Sequence, residues 1–321
     1  MGGLIIAVAG HNPLQAYLEL LRGAFAGDNF ASTLTRSIPL VGMALCIAVS
    51  LRAGLLNLGG EGQLVMGALA STLIALHLPG PSGVVIIVAL LAGAAAGAMW
   101  ALLPALLANH LAVPVLISSL LLNFPARSFA SYLVTHPLRD VNSGLNQTAM
   151  IALGRRLPQL PIGNGVSIGL IIMAVVAVAV ILVSTRTAVG YEQRLAGLSA
   201  RFVRYGGVSD RRLTMQVLAT SGALAGLVGA LIVTGDQFRF IDGALISPQY
   251  TWTGLLATLL VSGSPLASVV AAFSFAALQI GGFGMERVTQ IPRELTLVIQ
   301  AVIIVTLTAQ QGMTQRRRRL S

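Results

Sequence analysis

Apolar stretches of about 20 residues, the length of helix that crosses a hydrocarbon core of roughly 30 Å, recur from end to end of this 321-residue chain with only short polar breaks between them. A backbone in hydrocarbon has no water to bond, so such stretches fold as helices that satisfy their own N–H and C=O groups. The apolar runs give candidate spans at 37–51, 58–77, 84–107, 111–135, 166–184, 213–234, 251–262, 265–280 and 292–310, several of them short or broken. A further stub at 2–10 is too short to cross and lacks the basic flank and cleavage site of a signal peptide, so it reads as the truncated end of a first helix. Counting it gives ten segments, which places both termini on one side. The expected fold is an all-α polytopic membrane protein of about ten transmembrane segments, with residues 1–321 as a single membrane domain.

Composition removes several function classes. Charged residues make up 9% of the chain and the mean hydropathy is +0.85, whereas soluble domains carry about 25% charged residues. The net charge of +10 does not indicate nucleic acid, because the arginines lie between apolar segments and form no basic face with interleaved aromatics. All 20 basic residues are arginine. A Walker A loop needs a lysine on the nucleotide phosphates, so any ATP chemistry belongs to a partner. Cys46 is the single cysteine, which excludes an intrachain disulfide and suits plain packing. His11, His77, His110 and His136 are dispersed without metal-ligand spacing, and Ser221 has no adjacent base. No enzyme site, metal site or cofactor is expected.

Arginine placement orients the stack. Arg52, six arginines in the 185–212 loop and the Arg316–Arg319 tail form one set of 11. Eight others (Arg22, Arg36, Arg139, Arg155, Arg156, Arg239, Arg287 and Arg293) form the opposite set, with Arg127 inside a span. The positive-inside rule makes the first set cytoplasmic, together with both termini. The arginine tail is expected to rest on anionic membrane lipid. Two GxxxG patterns, Gly93 to Gly97 and Gly222 to Gly226, let helix backbones approach closely.

Three segments can carry function. In 51–63, Arg52, Asn57, Glu61 and Gln63 interrupt a glycine-rich apolar run. Ionisable groups at membrane depth need partners, so either Glu61 pairs with Arg52 and caps the break, or the segment lines a wet path for solute. In 112–129, Pro114 and Pro125 break a span that carries Ser118, Ser119, Asn123 and Phe124. The serines suit helix repair, whereas the Asn123 amide needs a neighbouring helix or a ligand. In 194–213, Ser199 can cap a short helix over 200–205 that is stopped by Gly206 or Gly207, and Phe202 and Tyr205 stand among arginines. So short a helix must dock on something, and Arg with aromatics suits a protein interface.

At these segments the chain resembles the permeases of bacterial branched-chain amino acid, simple sugar and nucleoside ABC importers, most of all the nucleoside type. Arg52, Ala53, Gly54, Asn57, Glu61, Gly62 and Gln63 match the family's first signature; VPVLISSLLLNF at 113–124, SPLASVVAAFSFAAL at 264–278 and IPRELTLVIQAVII at 291–304 resemble later ones. The loop matches at Arg194, Gly197, Tyr205, Gly207 and Val208, and departs at Ala200–Val203, where the family usually has proline-glutamate-alanine-alanine; position 264 is Ser where Asn is usual. The resemblance implies a type II-like ABC importer permease in the bacterial inner membrane. Its implied partners are an ABC ATPase subunit, a second permease subunit in a heterodimer, and a periplasmic or lipid-anchored substrate-binding protein. It makes Arg194, Gly197, Tyr205 and Gly207 the frame of an ATPase-docking set, to which the reading of the short helix adds Ser199 and Phe202. The substrate pathway is expected at Asn57, Glu61, Gln63, Ser119, Asn123, Phe124 and Trp252, with Gln249 and Gln279 as further amides for a nucleoside. A ribose-like sugar is the alternative solute. An ion-coupled secondary transporter is the competing class, and the lack of a paired intramembrane acid and base beyond Glu61 and Arg52 weighs against it.

Overall fold

A computed structural model describes residues 12–163, 165–199 and 205–289. The helices in chain order are α1 (Pro13–Phe25), α2 (Asp28–Arg52), α3 (Gly60–His77), α4 (Ser82–Leu111), α5 (Val115–Leu121), α6 (Asn123–Thr135), α7 (Gly169–Arg186), α8 (Ala188–Leu198), α9 (Asp210–Gly235), α10 (Tyr250–Leu260) and α11 (Pro265–Thr289). Among the described residues, α2, α4, α7, α9 and α11 are long and apolar enough to cross a membrane. The chain is a multi-pass helical membrane protein. Of the expected segments, 2–10 and 292–310 lie outside the described residues, and α10, with 11 residues, is too short to cross alone. The expected span 111–135 is two helices that meet at Leu122.

Two helices were not anticipated. Helix α1 begins where Asn12 accepts a bond from the Leu14 amide at 3.0 Å and Pro13 takes the first helical position. Within the 185–212 loop, α8 starts at Thr187, whose hydroxyl takes the Gly190 amide. Gly190 sits against the last turn of α7, where a Cβ would meet the carbonyls of Val183 and Ser184.

Helices α2 and α9 form the centre, with Leu40, Met43, Leu45, Ile47, Val228 and Val233 buried. The two GxxxG patterns face each other. A Cβ at Gly226 would fall on the Gly93 carbonyl oxygen, one at Gly222 on that of Gly97, and one at Gly67 of α3 on the Gly226 backbone. Helices α3, α4 and α9 thus meet backbone to backbone, which is how helices gain packing energy where lipid supplies no hydrophobic drive.

The ends of the bundle differ. At one, which we call inner, Gly197 of α8 lies on the Arg52 carbonyl and the Asn109 side chain bonds the Arg211 carbonyl at 3.1 Å. At the other, called outer, the 136–163 segment pairs with 234–242: the Ile151 amide donates to the Phe238 carbonyl at 2.8 Å, and the Leu157 amide to the Thr234 carbonyl at 2.9 Å. Strands β1 (Gln159–Leu160) and β2 (Val166–Ser167) make a short antiparallel hairpin in this cap.

Candidate transport site

The broken segment between α2 and α3 is a polar knot. Gly54, at φ +75°, turns the chain out of α2 in a conformation that side chains resist. Asn57 is fully buried, and its amide nitrogen donates to Gln63 Oε1 at 3.0 Å and Ser221 Oγ at 2.9 Å. Its oxygen accepts from the Gly59 amide at 2.9 Å. Asn123 ties α6 to the same segment, accepting from the Gly62 amide at 2.8 Å and donating to the Leu58 carbonyl at 2.9 Å. Ser119 accepts from the Leu58 amide at 3.1 Å. Asn57, Gln63, Ser119 and Asn123 therefore share one network, in which each group answers a backbone or side-chain partner.

Glu61 pairs with Arg127 of α6, not with Arg52 as the sequence alternative had it. Arg52 instead donates to the Ser184 carbonyl at 2.8 Å. The Arg127 guanidinium also stands 5.9 Å from the centre of the Phe124 ring, so the arginine inside a span is explained by an acid on the adjacent helix. Phe124 itself is exposed, as is Trp252 on α10, and neither joins the network. Glu61→Gln is expected to strand a partly buried cation, costing about 1–3 kcal/mol, while Glu61→Gln with Arg127→Gln recovers part of the loss. Thermal unfolding of the solubilised protein measures both; a double variant no more stable than the single contradicts the pairing.

An outer cavity of about 290 Å³ lies between α2, α9, α10 and the hairpin, lined by Ser32, Thr35, Arg36, Ser167, Asp236 and Tyr250 among others. Arg36 donates from Nε to Gln279 Oε1 and from Nη1 to the Tyr250 hydroxyl, both at 2.9 Å. Its guanidinium stacks 4.7 Å from the Tyr250 ring centre. Asp236 keeps an exposed face; the packing around the rest of its carboxyl pushes its pKa up and the Arg36 charge opposes that shift, although the two make no ion pair. Sequence reasoning missed this site. Arg36 was read as an outer topology signal flanking a span that starts at 37, whereas α2 starts at Asp28 and carries Arg36 within the helix. An arginine beside Ile38 and Pro39 in an apolar run was the available signal.

An inner recess of about 470 Å³ is lined by Leu51, Arg52, Arg194, Gly197, Leu198, Ser262, Gly263 and Ser264. Gly197 packs on the Arg52 carbonyl, and Gly54 faces the Gly197 Cα. The recess thus joins α8 to the end of α2 and to the start of the knot. Ser199 closes α8 in extended backbone, Tyr205 is 93% exposed, and Gly207 has the left-handed φ of +81° that a helix stop uses. Phe202 and the expected helix over 200–205, apart from Tyr205, lie outside the described residues.

A bundle of apolar helices with a buried polar break, a charged outer cavity and a helix bound beneath its inner end defines a multi-pass membrane permease. The chain belongs to the branched-chain amino acid transport system permease component family, whose model matches residues 29–308. It is 32% identical to the glucose ABC transporter permease of Haloferax volcanii over 96% of this chain and 83% of that one. It is 28% identical to the guanosine ABC transporter permease of Bacillus subtilis (94% and 88%) and 29% to the nucleoside ABC transporter permease of Lactococcus lactis (95% and 86%). These relatives are ABC transporter permease subunits, which are not themselves enzymes.

Proposed function

We propose that this chain is the membrane half of an ATP-driven importer, moving a small hydroxylated solute inward from a binding protein while a separate ATPase hydrolyses ATP. The observation that carries this reading is the seating of Gly197 on the Arg52 carbonyl, next to Gly54. Movement of α8 by a partner bound at 185–212 is transmitted, without slack, into the end of α2 and on into the Asn57 knot. From there the Asn123 and Arg127 links carry it to α6. Arg194, Gly197, Ser199, Phe202, Tyr205 and Gly207 form the docking side of that linkage, and a second permease subunit completes the pore.

The solute is proposed to be a nucleoside, on the strength of the guanosine and nucleoside relatives. The glucose permease favours a sugar as the second reading. Both classes carry adjacent hydroxyl groups. Asn57, Glu61, Gln63, Ser119 and Asn123 bound the path at the inner side, and Phe124 and Trp252 offer exposed aromatic faces. Glu61→Gln and Asn123→Ala are then expected to lower uptake while the ATPase still co-purifies; wild-type uptake by both variants contradicts the path assignment. Radiolabelled uptake of a purine nucleoside against ribose, with and without the cognate ATPase and binding protein, decides between the solutes.

The inner end is proposed to be cytoplasmic. On a Cys46→Ala background, Met150→Cys is expected to react with an impermeant maleimide in intact cells and Ala200→Cys only after lysis. The reverse pattern inverts the orientation.

A further inference from the structure

The outer cavity contains opposed charges that the protein does not bring together. Arg36 projects from α2 and Asp236 follows α9, both lining the same space, and each feels the other's charge without forming an ion pair. Opposite charges left apart on the walls of one open cavity gain by a ligand that bonds both. Hydroxyls of Ser32 and Thr35 line the same space, and Ile38 and Leu231 give it apolar walls. The short helix α10 begins at Tyr250 on the cavity wall. Half-helices that start at membrane depth commonly end at solute sites, because their terminal backbone groups remain available.

The state of Arg36 narrows the ligand. Its Nε is committed to Gln279 and one Nη1 bond to Tyr250, which leaves Nη2 and the second Nη1 hydrogen to donate to a ligand. The Asp236 carboxylate on the same space repels an anion and suits hydroxyl donors, so a neutral hydroxylated ligand answers both groups. A space of about 290 Å³ is at the small end for ligand pockets and is large enough for one sugar ring.

We propose that this cavity is a solute subsite for a ring bearing adjacent hydroxyls, which donate to the Asp236 carboxylate and accept from Arg36. The proposal rests on the importer reading and adds the part of the solute that the permease itself recognises. It makes Asp236 and Arg36 specificity-determining residues, independent of any selection made by a binding protein.

The test uses the full chain in membrane vesicles, carrying Ser32→Cys on a Cys46→Ala background, with the maleimide labelling rate as readout. D-ribose and uridine at millimolar concentration are expected to slow labelling, whereas the dideoxy analogue of uridine, lacking both ribose hydroxyls, and leucine do not. Adding Asp236→Asn is expected to leave the unprotected rate in place and weaken ribose protection by about ten- to a hundredfold, the loss of a hydrogen bond to a charged group. Equal protection by the dideoxy analogue, protection by leucine alone, or no protection by any solute overturns the proposal, and the ligand series decides this even if the Asp236 variant fails to fold. ATPase co-purification from the same membranes separates the two readings. Binding of the ATPase without solute protection removes the subsite and leaves the importer standing; the opposite result does the reverse.

Discussion

Gly226→Leu is expected to yield no folded permease. Gly226 lies where three helices touch: its missing side chain would enter the Gly93 carbonyl and the Gly97 Cα, while Gly67 of α3 presses on its backbone from another direction. These neighbours are backbone atoms of long helices, so nothing can rotate aside, and α3, α4 and α9 must separate to admit a side chain. Forcing even a few methylenes into a packed core costs about 1–3 kcal/mol, and leucine at a three-helix backbone contact exceeds that. Gly226→Ala should fold with a clearly lower melting temperature. Gly83→Ala is the control, since a Cβ there meets nothing within 4 Å and the change favours helix by up to about 1 kcal/mol. Fluorescence-detected size exclusion and thermal unfolding in detergent read all three. A Gly226→Leu protein that runs as a monodisperse peak with wild-type melting would refute the glycine seam.

Gly197→Glu should abolish uptake and release the ATPase while the permease still inserts. Any side chain at 197 meets the Arg52 carbonyl, so α8 must leave the end of α2. The damage is confined to the inner recess, because α8 buries little beyond Gly190 and Gln193. Insertion depends on the apolar spans, which this change leaves alone. A carboxylate also enters a recess that holds Arg52 and Arg194, so Gly197→Ala is the informative companion: it carries the steric effect without the charge. Both variants should lose ATPase co-purification, and retention by Gly197→Ala contradicts a coupling route through the backbone contact.

Five of the expected spans, at 37–51, 84–107, 166–184, 213–234 and 265–280, were legible because apolar length is a one-dimensional property. The two GxxxG patterns were legible as close-packing sites, though not as partners of one another, since pairing depends on which helices become neighbours. Of the polar residues, Asn123 was singled out as an amide in need of a partner, and Asn57, Gln63 and Ser119 as polar interruptions of apolar runs. Their shared network required α6 and the 53–59 segment to be placed side by side. Glu61 was matched to the nearest basic residue in sequence, Arg52, when the fold supplies Arg127 from another helix. The outer cavity was missed for a related reason. Arg36, Asp236, Tyr250 and Gln279 lie far apart in the chain, and only the crossing of α2, α9, α10 and α11 collects them. Helix α1 announced itself by Asn12 and Pro13 but was overshadowed by the neighbouring apolar stub.

In the proposed function, ATP hydrolysis by a partner drives solute through this chain. The direct measurement is uptake of radiolabelled nucleoside or sugar into proteoliposomes that hold the permease with its cognate ATPase and a second permease subunit. Binding protein is supplied outside and ATP inside. Uptake is expected to require ATP and binding protein and to persist when a protonophore and a sodium ionophore collapse ion gradients. Uptake that proceeds without ATP and vanishes with the gradients would contradict the proposed function and identify an ion-coupled transporter instead.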